Sequence, residues 1–500
     1  MKVAVIGAGS SGLVTLKYLV SAHTFLGAEP IETLLFESED TIGGTFQART
    51  YEDAEQNSQL VSSMQLTSFS DFRLRDDDPD FVSAERYVEY LHEYCDKFKL
   101  WSQIKLSTTV VSVKPNIKGK GHTITYSAKG TGKQKSWTCD AIAVCSGLHV
   151  TPNLPEIPGL EDHVPLVMHS SQFKSSSQFG TNKTVMVLGS GETGADIAYL
   201  AVISPTKQVV MCHRSGFHFA PKRNLSPVLF SVLGGTPNST LTVPLDNARA
   251  SLFDTAYVHP LCATPMPYGH STTGGLDQIV GEPSPEKDHV SKIFFNKSSK
   301  ASPYISHPYR LNSKRSLVDR IRSGIIQSPV PSTNDRQIDL APWPESVSSD
   351  GEIHFQDNER PEFQRVKDGN IKPDIVICCT GYKQTFPFLD RDHYTTAEEA
   401  NVRNIWHDRD PTVGFIGFLR PSLGAIPPLA EMQAQLWILS IMVPERVPEL
   451  RPEDEPHYRL LHGKDSRIRY GNDHESYVYQ LALDMNSAVG LAEIVKRSWE

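Results

Sequence analysis

The sequence lacks the features of a membrane-spanning or nucleic-acid-binding protein. It contains no run of about 18 apolar residues, so no transmembrane helix is predicted. The formal net charge is -9, from 49 basic and 58 acidic residues, and there is no lysine–arginine tract. Because a basic cluster is what attracts nucleic acid, a small-molecule substrate is the better expectation.

Cysteine and metal-binding patterns are also sparse. The seven cysteines form no CxxC pair, and their number is odd. This usage is typical of a reducing compartment, so a cytoplasmic location is predicted. The sequence has no HExxH, no cysteine–histidine spacing of a metal site and no GxSxG. Neither a metal site nor a serine nucleophile is therefore predicted.

The length and the local patterns indicate several domains. With 500 residues, 39% of them hydrophobic, the chain can form two or three domains. It opens on the strand-like segment MKVAVIGAG, so no signal peptide is expected. Residues 224 to about 310 are rich in Pro, Ser, Thr, Gly and His without sustained periodicity, and are interpreted as an insertion or cap.

Two glycine-rich loops each follow an apolar strand and precede a helical pattern. Their glycines are Gly7, Gly9 and Gly12 in GAGSSG, and Gly189, Gly191 and Gly194 in GSGETG. The first glycine of such a loop permits a tight turn, the second lets a pyrophosphate approach the backbone, and the third lets the helix pack on the strand. The pattern predicts two dinucleotide sites, although it also occurs in ordinary turns. Further contacts are predicted from Ser10, Ser11, Ser190 and Thr193.

The strands that follow the two loops end in opposite charges. Glu37 ends the first, where a carboxylate can accept hydrogen bonds from ribose hydroxyls. His213, Arg214 and Ser215 end the second, a set suited to the 2′-phosphate of NADP, and Lys222 and Arg223 are second candidates for the same phosphate. Opposite charges predict two different dinucleotides, a tightly held FAD and a diffusing NADPH.

Beyond these loops, the sequence resembles the flavin-containing monooxygenases over nearly its whole length. The segments that carry the resemblance are VIGAGSSGL, ESEDTIGGTF, SFSDFRL, GSGETGADIA, DIVICCTGY, FIGFLRPSLGAIPPLAEMQAQ and YGNDHESYVYQLALDM, in the family's order. No cysteine pair follows TIGG, which distinguishes the chain from the pyridine-nucleotide disulfide reductases. A dithiol relay is therefore not expected.

The resemblance implies a mechanism and further cofactor contacts. NADPH would reduce FAD, oxygen would add to give a C4a-hydroperoxide, and bound NADP+ would shield it until a nucleophilic substrate takes one oxygen atom. The protein would position the reactants and exclude water. The additional contacts that the resemblance implies are Gly44, Thr45, Thr380, Gly381 and Gln433.

Two departures from the family pattern concern the candidate catalytic residues. The fingerprint FxGxxxHxxx(F/Y) is only partly matched by HVPLVMHSSQF, which has His169 and Phe173 but carries His163 in place of the aromatic residue and Pro165 in place of the glycine. His169 is interpreted as a residue that orders this linker, with a purely structural histidine as the alternative. The family's asparagine is replaced by Val61, which has no hydrogen-bond donor, so Ser62 or Ser63 is expected to substitute for it.

The predicted fold class is α/β, with two Rossmann-like dinucleotide-binding domains. Residues 1–175 and 331–500 are predicted to form the FAD domain, whose second part carries substrate-channel segments. Residues 176–330 are predicted to form the NADP domain, including the Pro/Ser-rich insertion. The sequence is compatible with an oligomer and does not define its order.

The predicted function is insertion of one oxygen atom from O2 into a nitrogen or sulfur of a small organic molecule, with an alkaloid-type compound as the first choice. Baeyer–Villiger oxidation of a ketone is the alternative, disfavoured because that subgroup's fingerprint ends in Trp where this chain has Phe173. An uncoupled NADPH oxidase or a redox-linked binding module is the alternative from another class, and Val61 favours it.

Overall fold

The chain divides into two compact units in a computed structural model. The described residues are 1–48, 59–116, 119–130, 132–214, 218–219, 223–225, 242–244, 295–296, 299–301, 304–305, 332–358, 361–421, 424–448, 458–459, 471–490 and 496. Unit 1 comprises Met1–Thr50, Ser58–Val150 and Gln384–Glu500, and unit 2 comprises Tyr51–Asn57 and Thr151–Lys383.

The helices and strands of the described residues are numbered in chain order. The α-helices are α1 (Ser10–Leu26), α2 (Thr45–Ala48), α3 (Met64–Thr67), α4 (Ala84–Phe98), α5 (Leu160–His163), α6 (Glu192–Ile203), α7 (Pro361–Val366), α8 (Ile426–Met442) and α9 (His474–Asp484). The strands are β1 (Lys2–Ile6), β2 (Glu32–Phe36), β3 (Ile104–Lys105), β4 (Thr108–Pro115), β5 (His122–Ala128), β6 (Gln134–Cys139), β7 (Ala141–Val144), β8 (Thr151–Pro152), β9 (Leu166–His169), β10 (Thr184–Leu188), β11 (Gln208–Cys212), β12 (His218–Phe219), β13 (Arg223–Leu225), β14 (Thr242–Pro244), β15 (Phe295–Asn296), β16 (Ile338–Ala341), β17 (Pro344–Val347), β18 (Ile353–Phe355), β19 (Ile375–Cys378), β20 (Tyr382–Lys383), β21 (Trp406–His407), β22 (Asp410–Phe415), β23 (Arg420–Pro421) and β24 (Gly471–Asn472).

Unit 1 is built on a six-stranded sheet in the order β21-β22-β7-β1-β2-β3. Strands β22, β7, β1, β2 and β3 are parallel, and β21 is antiparallel to β22. In β1, every residue from Val3 to Ile6 is buried, as expected of a central parallel strand that is covered on both faces. Helix α1 follows β1 directly and packs on α8. The strand–helix–strand order places the start of α1 at the carboxyl edge of the sheet.

Unit 2 repeats this plan with a five-stranded parallel sheet. Its strand order is β16-β11-β10-β19-β9, and α6 follows the central strand β10. Strand β10 is buried along its whole length, as β1 is over most of its own. The predicted α/β class with two Rossmann-like units is confirmed.

The boundaries of the units differ from the predicted domain boundaries. Strand β9 precedes position 176, and β16 and β19 follow position 330, yet all three belong to the sheet of unit 2. The chain enters unit 2 at Thr151 and leaves it after Lys383. The boundaries are hard to predict from sequence because AIAV of β7 and IVIC of β19 are similar apolar segments, although the two strands belong to different sheets.

Two other predictions can be compared only with the described residues. The predicted insertion of residues 224 to about 310 lies largely outside the described residues, apart from short strands such as β14 and β15. Over the described residues, no helix combines the length and apolar character needed to cross a membrane.

A buried ion pair attaches the helix α9 to the rest of unit 1. Arg403 donates from Nε to Asp484 Oδ2 at 2.6 Å and from Nη2 to Oδ1 at 3.2 Å, and both side chains are more than nine-tenths buried. We expect Asp484→Leu to lower the free energy of unfolding by about 3–5 kcal/mol, because Arg403 is left buried without its counter-charge. Urea unfolding of the full chain measures the change.

The exposed pair Lys2–Glu32, at 2.9 Å, is the matched control. Its variant Glu32→Gln is expected to cost less than about 1 kcal/mol. Equal losses in the two variants would contradict a structural role for the buried pair.

Candidate cofactor-binding sites

The first glycine loop is a tight turn, and it can form only because two of its positions carry no side chain. Gly7 has φ +105°, and a Cβ there would lie 2.6 Å from the carbonyl oxygen of Cys145. A Cβ on Gly12 would lie 1.8 Å from the carbonyl oxygen of Gly7. Both positions therefore exclude any side chain for reasons internal to the protein, and together they bring α1 close to β1.

Gly9, the second glycine, has no such internal reason. Its φ of -74° suits any residue, and the atom nearest to a Cβ added there would be Gly44 Cα at 3.9 Å. Gly9 is also the N-cap of α1, and no side chain caps that helix start, where Ser10 and Ser11 are the first helical residues. Open space beside backbone N–H groups at a helix N-terminus fits a pyrophosphate.

The glycine pair Gly43–Gly44 lies against this loop. Gly43 N donates to Ala8 O at 3.0 Å, and a Cβ on Gly44 would lie 3.1 Å from Gly9 Cα. Thr45 then begins α2. The structure thus brings the predicted residues Gly44 and Thr45 next to the glycine loop.

Glu37 stands at the end of β2 and is bonded to the same loop. Its Oε2 accepts from Ala8 N at 2.6 Å, and its Oε1 accepts from Glu39 N at 2.9 Å and from Ser38 Oγ at 3.1 Å. The side chain is buried. Because a carboxylate oxygen has two lone pairs, Oε2 keeps capacity for a ribose hydroxyl while it holds the loop.

The second glycine loop has the same geometry in unit 2. Gly189 has φ +115°, and its Cβ would lie 2.5 Å from Cys379 O, while a Cβ on Gly194 would lie 2.0 Å from Gly189 O. Among the described residues, no atom lies within 4 Å of a Cβ placed on Gly191. Gly191 is the N-cap of α6 without a side-chain cap; Ser190 precedes it and Thr193 lies in the first helical turn. This loop also fits a pyrophosphate.

The residues after β11 differ from the prediction in one respect. The side chain of His213 is 1% exposed, and its Nε2 lies 3.2 Å from Oε1 of the equally buried Glu362. We therefore expect His213 to support this strand end and not to contact a phosphate. Arg214 is exposed, with its guanidinium carbon 4.7 Å from the ring centroid of Trp343. Ser215 lies outside the described residues.

The two candidate serines have structural partners within unit 1. Ser62 Oγ donates to Gly424 O at 2.6 Å, and Ser63 Oγ caps α3 by accepting from Leu66 N at 3.4 Å. Both residues are buried. Because these bonds secure local structure, we expect neither serine to replace the asparagine that the family has where this chain has Val61.

Gln433 is likewise a brace inside unit 1. Its Oε1 accepts from Gly417 N at 2.8 Å, its Nε2 donates to Tyr477 Oη at 2.9 Å, and it has no exposed surface. A Cβ on Gly417 would lie 2.2 Å from Ser11 Oγ, so this segment packs on the glycine loop. We expect Gln433 to act on a cofactor only through Gly417, and not by the direct contact that was predicted.

His169 joins two segments of unit 2. Its Nδ1 accepts from Ser171 N at 3.2 Å, so the proton is on Nε2, which donates to Gly381 O at 2.9 Å. Thr380 Oγ1 donates to Asn153 O, and Asn153 N donates to Gly381 O at 2.9 Å. These bonds agree with the interpretation of His169 as an ordering residue. Thr380 and Gly381 are part of unit 2, whereas they were predicted in the FAD domain.

Sequence reasoning missed Trp343 and Glu362. Trp343 stands between two prolines directly after β16, which signals a rigid position at a strand end. Glu362 gave no signal, because it lies 149 positions from the His213 that it contacts. Among the described residues, no group of His, Cys, Asp and Glu could hold a metal ion.

The glycine geometry predicts opposite outcomes for two substitutions. Gly9→Ala is expected to leave the melting temperature of the apoprotein unchanged and to weaken FAD binding at least tenfold, because the methyl group enters the space left for the pyrophosphate. Gly12→Ala is expected to destabilise the apoprotein itself. Thermal melting and FAD titration measure both effects, and Gly191→Ala serves as a control that retains FAD. Unchanged FAD affinity in Gly9→Ala would contradict this site.

The buried state of His169 predicts a pH dependence. Burial lowers the pKa of His169 below its ordinary value, against the opposing effect of the Gly381 hydrogen bond. The unfolded chain therefore takes up a proton more readily, so this stabilisation is present above about pH 6.5 and is lost as the pH falls below it. The melting temperature of wild type should fall more than that of His169→Gln between about pH 8 and 5.5. The exposed His393 supplies a control, His393→Gln, which should follow wild type; identical profiles for all three proteins would refute the role of His169.

Known proteins resemble the chain in sequence and in fold. A family model described as flavin-binding monooxygenase-like matches residues 1–223. Monooxygenase cfoE of Aspergillus candidus is 51% identical over 511 residues, which cover 99% of this chain and 85% of that protein. The structure of S-allyl-L-cysteine S-oxygenase from Allium sativum matches with a TM-score of 0.59 at 16% identity, covering 99% of this chain and 91% of that one. The open crystal structure of cyclohexanone monooxygenase matches with a TM-score of 0.57 at 15% identity, covering 89% and 88%.

The sequence likeness identifies the family, and the structural likeness at low identity agrees with the fold. The two glycine loops, their open second glycines and the charges after β2 and β11 are compatible with FAD and NADPH. The chain therefore belongs to the flavin-containing monooxygenase family and is an enzyme that uses FAD and NADPH.

Proposed function

We propose that this enzyme transfers one oxygen atom from O2 to a nucleophilic nitrogen or sulfur of a small organic molecule. One observation carries the proposal: two uncapped helix starts lie behind open glycine loops, with Glu37 hydrogen-bonded to the first loop and Arg214 just beyond β11, the strand paired with β10. A carboxylate suits ribose hydroxyls, and a guanidinium suits a 2′-phosphate. A chain that binds two different dinucleotides is suited to a reaction in which one of them reduces the other.

Unit 1 supplies the site for FAD. Backbone N–H groups at the start of α1 would hold the pyrophosphate, since the helix dipole favours negative charge there. Glu37 would accept from a ribose hydroxyl while its bond to Ala8 N keeps the loop in shape. Gly417, held by Gln433, keeps the neighbouring backbone close to Ser11.

Unit 2 supplies the site for NADPH. The start of α6 would hold its pyrophosphate in the same way, and Arg214 would meet the 2′-phosphate. A charge-assisted contact of this kind is worth about 1.5–3 kcal/mol, enough to select NADPH over NADH by ten- to hundredfold.

The remaining polar residues position groups and do not carry out proton transfer. FAD, once reduced, supplies the oxygen-transfer chemistry of this family. His169 is neutral and has both ring nitrogens engaged. Burial raises the pKa of Cys145 to about 12, so this thiol is a poor nucleophile. The chain's contribution is to bind, to orient and to exclude water.

A nitrogen or sulfur substrate is favoured over a ketone by the linker before the second glycine loop. Phe173 ends this fingerprint, where the Baeyer–Villiger subgroup has Trp, and it is buried against Phe179 with ring centroids 4.9 Å apart. The small ring completes a close-packed core in unit 2, so this position is shaped for Phe and not for an indole. An alkaloid-type amine is the first choice of substrate.

Coupled turnover tests the proposed reaction. NADPH oxidation and hydrogen peroxide release are measured together with tertiary amines, secondary amines, thioethers and ketones. We expect at least one amine or thioether to accelerate NADPH oxidation and to lower the peroxide yield per NADPH, because oxygen is then transferred to the substrate. Product mass should rise by one oxygen atom.

Other outcomes of the same screen decide between the alternatives. If NADPH oxidation is coupled to oxygen transfer only with ketones, and esters or lactones form, the reaction is Baeyer–Villiger oxidation instead. Release of one hydrogen peroxide per NADPH oxidised, with every compound tested, would identify an uncoupled oxidase. Arg214→Gln is the control that should raise the KM for NADPH without changing the identity of the oxidised product.

A further inference from the structure

Arg214 and Trp343 occupy equivalent places on neighbouring strands of unit 2. Strands β11 and β16 are parallel, and Cys212 pairs with Ala341. Arg214 and Trp343 each follow two residues beyond that pair. His213 N donates to Ala341 O at 3.0 Å, which extends the pairing to the start of this region. The two side chains therefore emerge side by side at the carboxyl end of the sheet.

Trp343 is a rigid platform. It stands between Pro342 and Pro344, whose rings fix their own φ angles and restrict the residue that precedes each of them. Its carbonyl oxygen accepts from Gln356 N at 3.1 Å. The indole also packs partly buried on the apolar cluster that includes Ala341 and Val347. Because the indole is fixed in this way, it limits the orientations that are open to a side chain packed on it.

The guanidinium of Arg214 rests on this platform. Its central carbon lies 4.7 Å from the indole centroid, within the range of a favourable cation–π contact. No carboxylate among the described residues forms an ion pair with Arg214. Stacking on an aromatic ring uses the face of a guanidinium and leaves its N–H edges available for a planar anion or a phosphate.

The residue before Arg214 is fixed from the opposite side. His213 Nε2 lies 3.2 Å from Glu362 Oε1, both side chains are 1% exposed, and Asn358 Nδ2 donates to the same oxygen at 3.4 Å. Both side chains are enclosed by their neighbours, so the residue before Arg214 has little room to move. The backbone that carries Arg214 is therefore held while the side chain is held by Trp343.

We infer that Trp343 is a positioning residue for coenzyme choice: it holds Arg214 in the orientation that binds the 2′-phosphate, so that NADPH is preferred over NADH. This inference rests on the proposed function. A free arginine side chain loses rotational freedom when it binds an anion, and a side chain that is already stacked loses less. Trp343 thus acts on affinity through Arg214 and without touching the phosphate.

Binding of NADP+ and NAD+ to the FAD-loaded enzyme tests the inference by calorimetry, since these ligands differ only in the 2′-phosphate. Trp343→Leu is expected to raise the Kd for NADP+ about fivefold and to leave that for NAD+ unchanged. Trp343→Phe, which keeps an aromatic face, should stay within about twofold of wild type. Trp101→Leu, a change of an exposed tryptophan in unit 1, should alter neither Kd.

A double-mutant cycle distinguishes positioning from direct contact. Arg214→Gln alone should raise the Kd for NADP+ about ten- to hundredfold, and adding Trp343→Leu should cause no further loss, because Trp343 then has no arginine to hold. Equal weakening of NADP+ and NAD+ by Trp343→Leu would mean that the indole contacts the shared part of the coenzyme, and would overturn the inference. So would wild-type affinities in Trp343→Leu. A wild-type enzyme that binds the two coenzymes equally would instead refute the NADPH site itself.

Discussion

A close approach between a helix and the preceding strand in each unit shapes the open space that we propose for the cofactors. In unit 1 the missing side chain of Gly12 faces the carbonyl oxygen of Gly7, and in unit 2 Gly194 faces Gly189 in the same way, at 1.8 and 2.0 Å from a Cβ. These contacts bring the start of α1 and α6 directly above the carboxyl edge of a sheet. Since neither helix start has a side-chain cap, its N–H groups and the positive end of its dipole are directed at one open space. A larger third residue would move the helix and lose that alignment.

We propose that the same backbone plan serves two coenzymes because the residues that follow the second strand of each glycine-loop unit differ in charge and in support. Glu37 is short, buried and bonded to three donors, so its carboxylate is fixed by hydrogen bonds within its own loop. Arg214 is long and exposed, and hydrogen bonds of that kind are replaced by contact with the indole of Trp343. A buried carboxylate needs donors to offset desolvation, whereas an exposed guanidinium needs only a surface that limits its motion. The buried Glu37 carboxylate is therefore held by hydrogen bonds, and the exposed Arg214 guanidinium is held by stacking on an aromatic ring.

The local features of both sites could be predicted from sequence because they depend on neighbouring residues. GAGSSG and GSGETG each encode a turn, an open position and a helix start within six residues, and the structure shows all three. The roles of Ser62, Gln433 and His213 could not be predicted, because their partners are Gly424, Gly417 with Tyr477, and Glu362, which are distant in sequence or specific to the packing. The boundaries of the two units were hard to predict for a related reason, since an apolar strand does not encode which sheet it joins.

The loss of the family's asparagine at Val61 is best understood from the rigidity of its surroundings. The adjacent Ser62 is bonded to Gly424 O at 2.6 Å, and Gly424, with φ +107°, has the ring of His474 at 2.6 Å from where a Cβ would lie. The segment is thus attached to the loop before α8 and to the first residue of α9. A serine held in this way cannot turn toward a cofactor without breaking a buried hydrogen bond, which costs about 1–3 kcal/mol. Under the proposed function, protection of the reduced flavin would therefore fall to bound NADP+ and to the exclusion of water, so we expect firm retention of the phosphorylated coenzyme to matter for this chain.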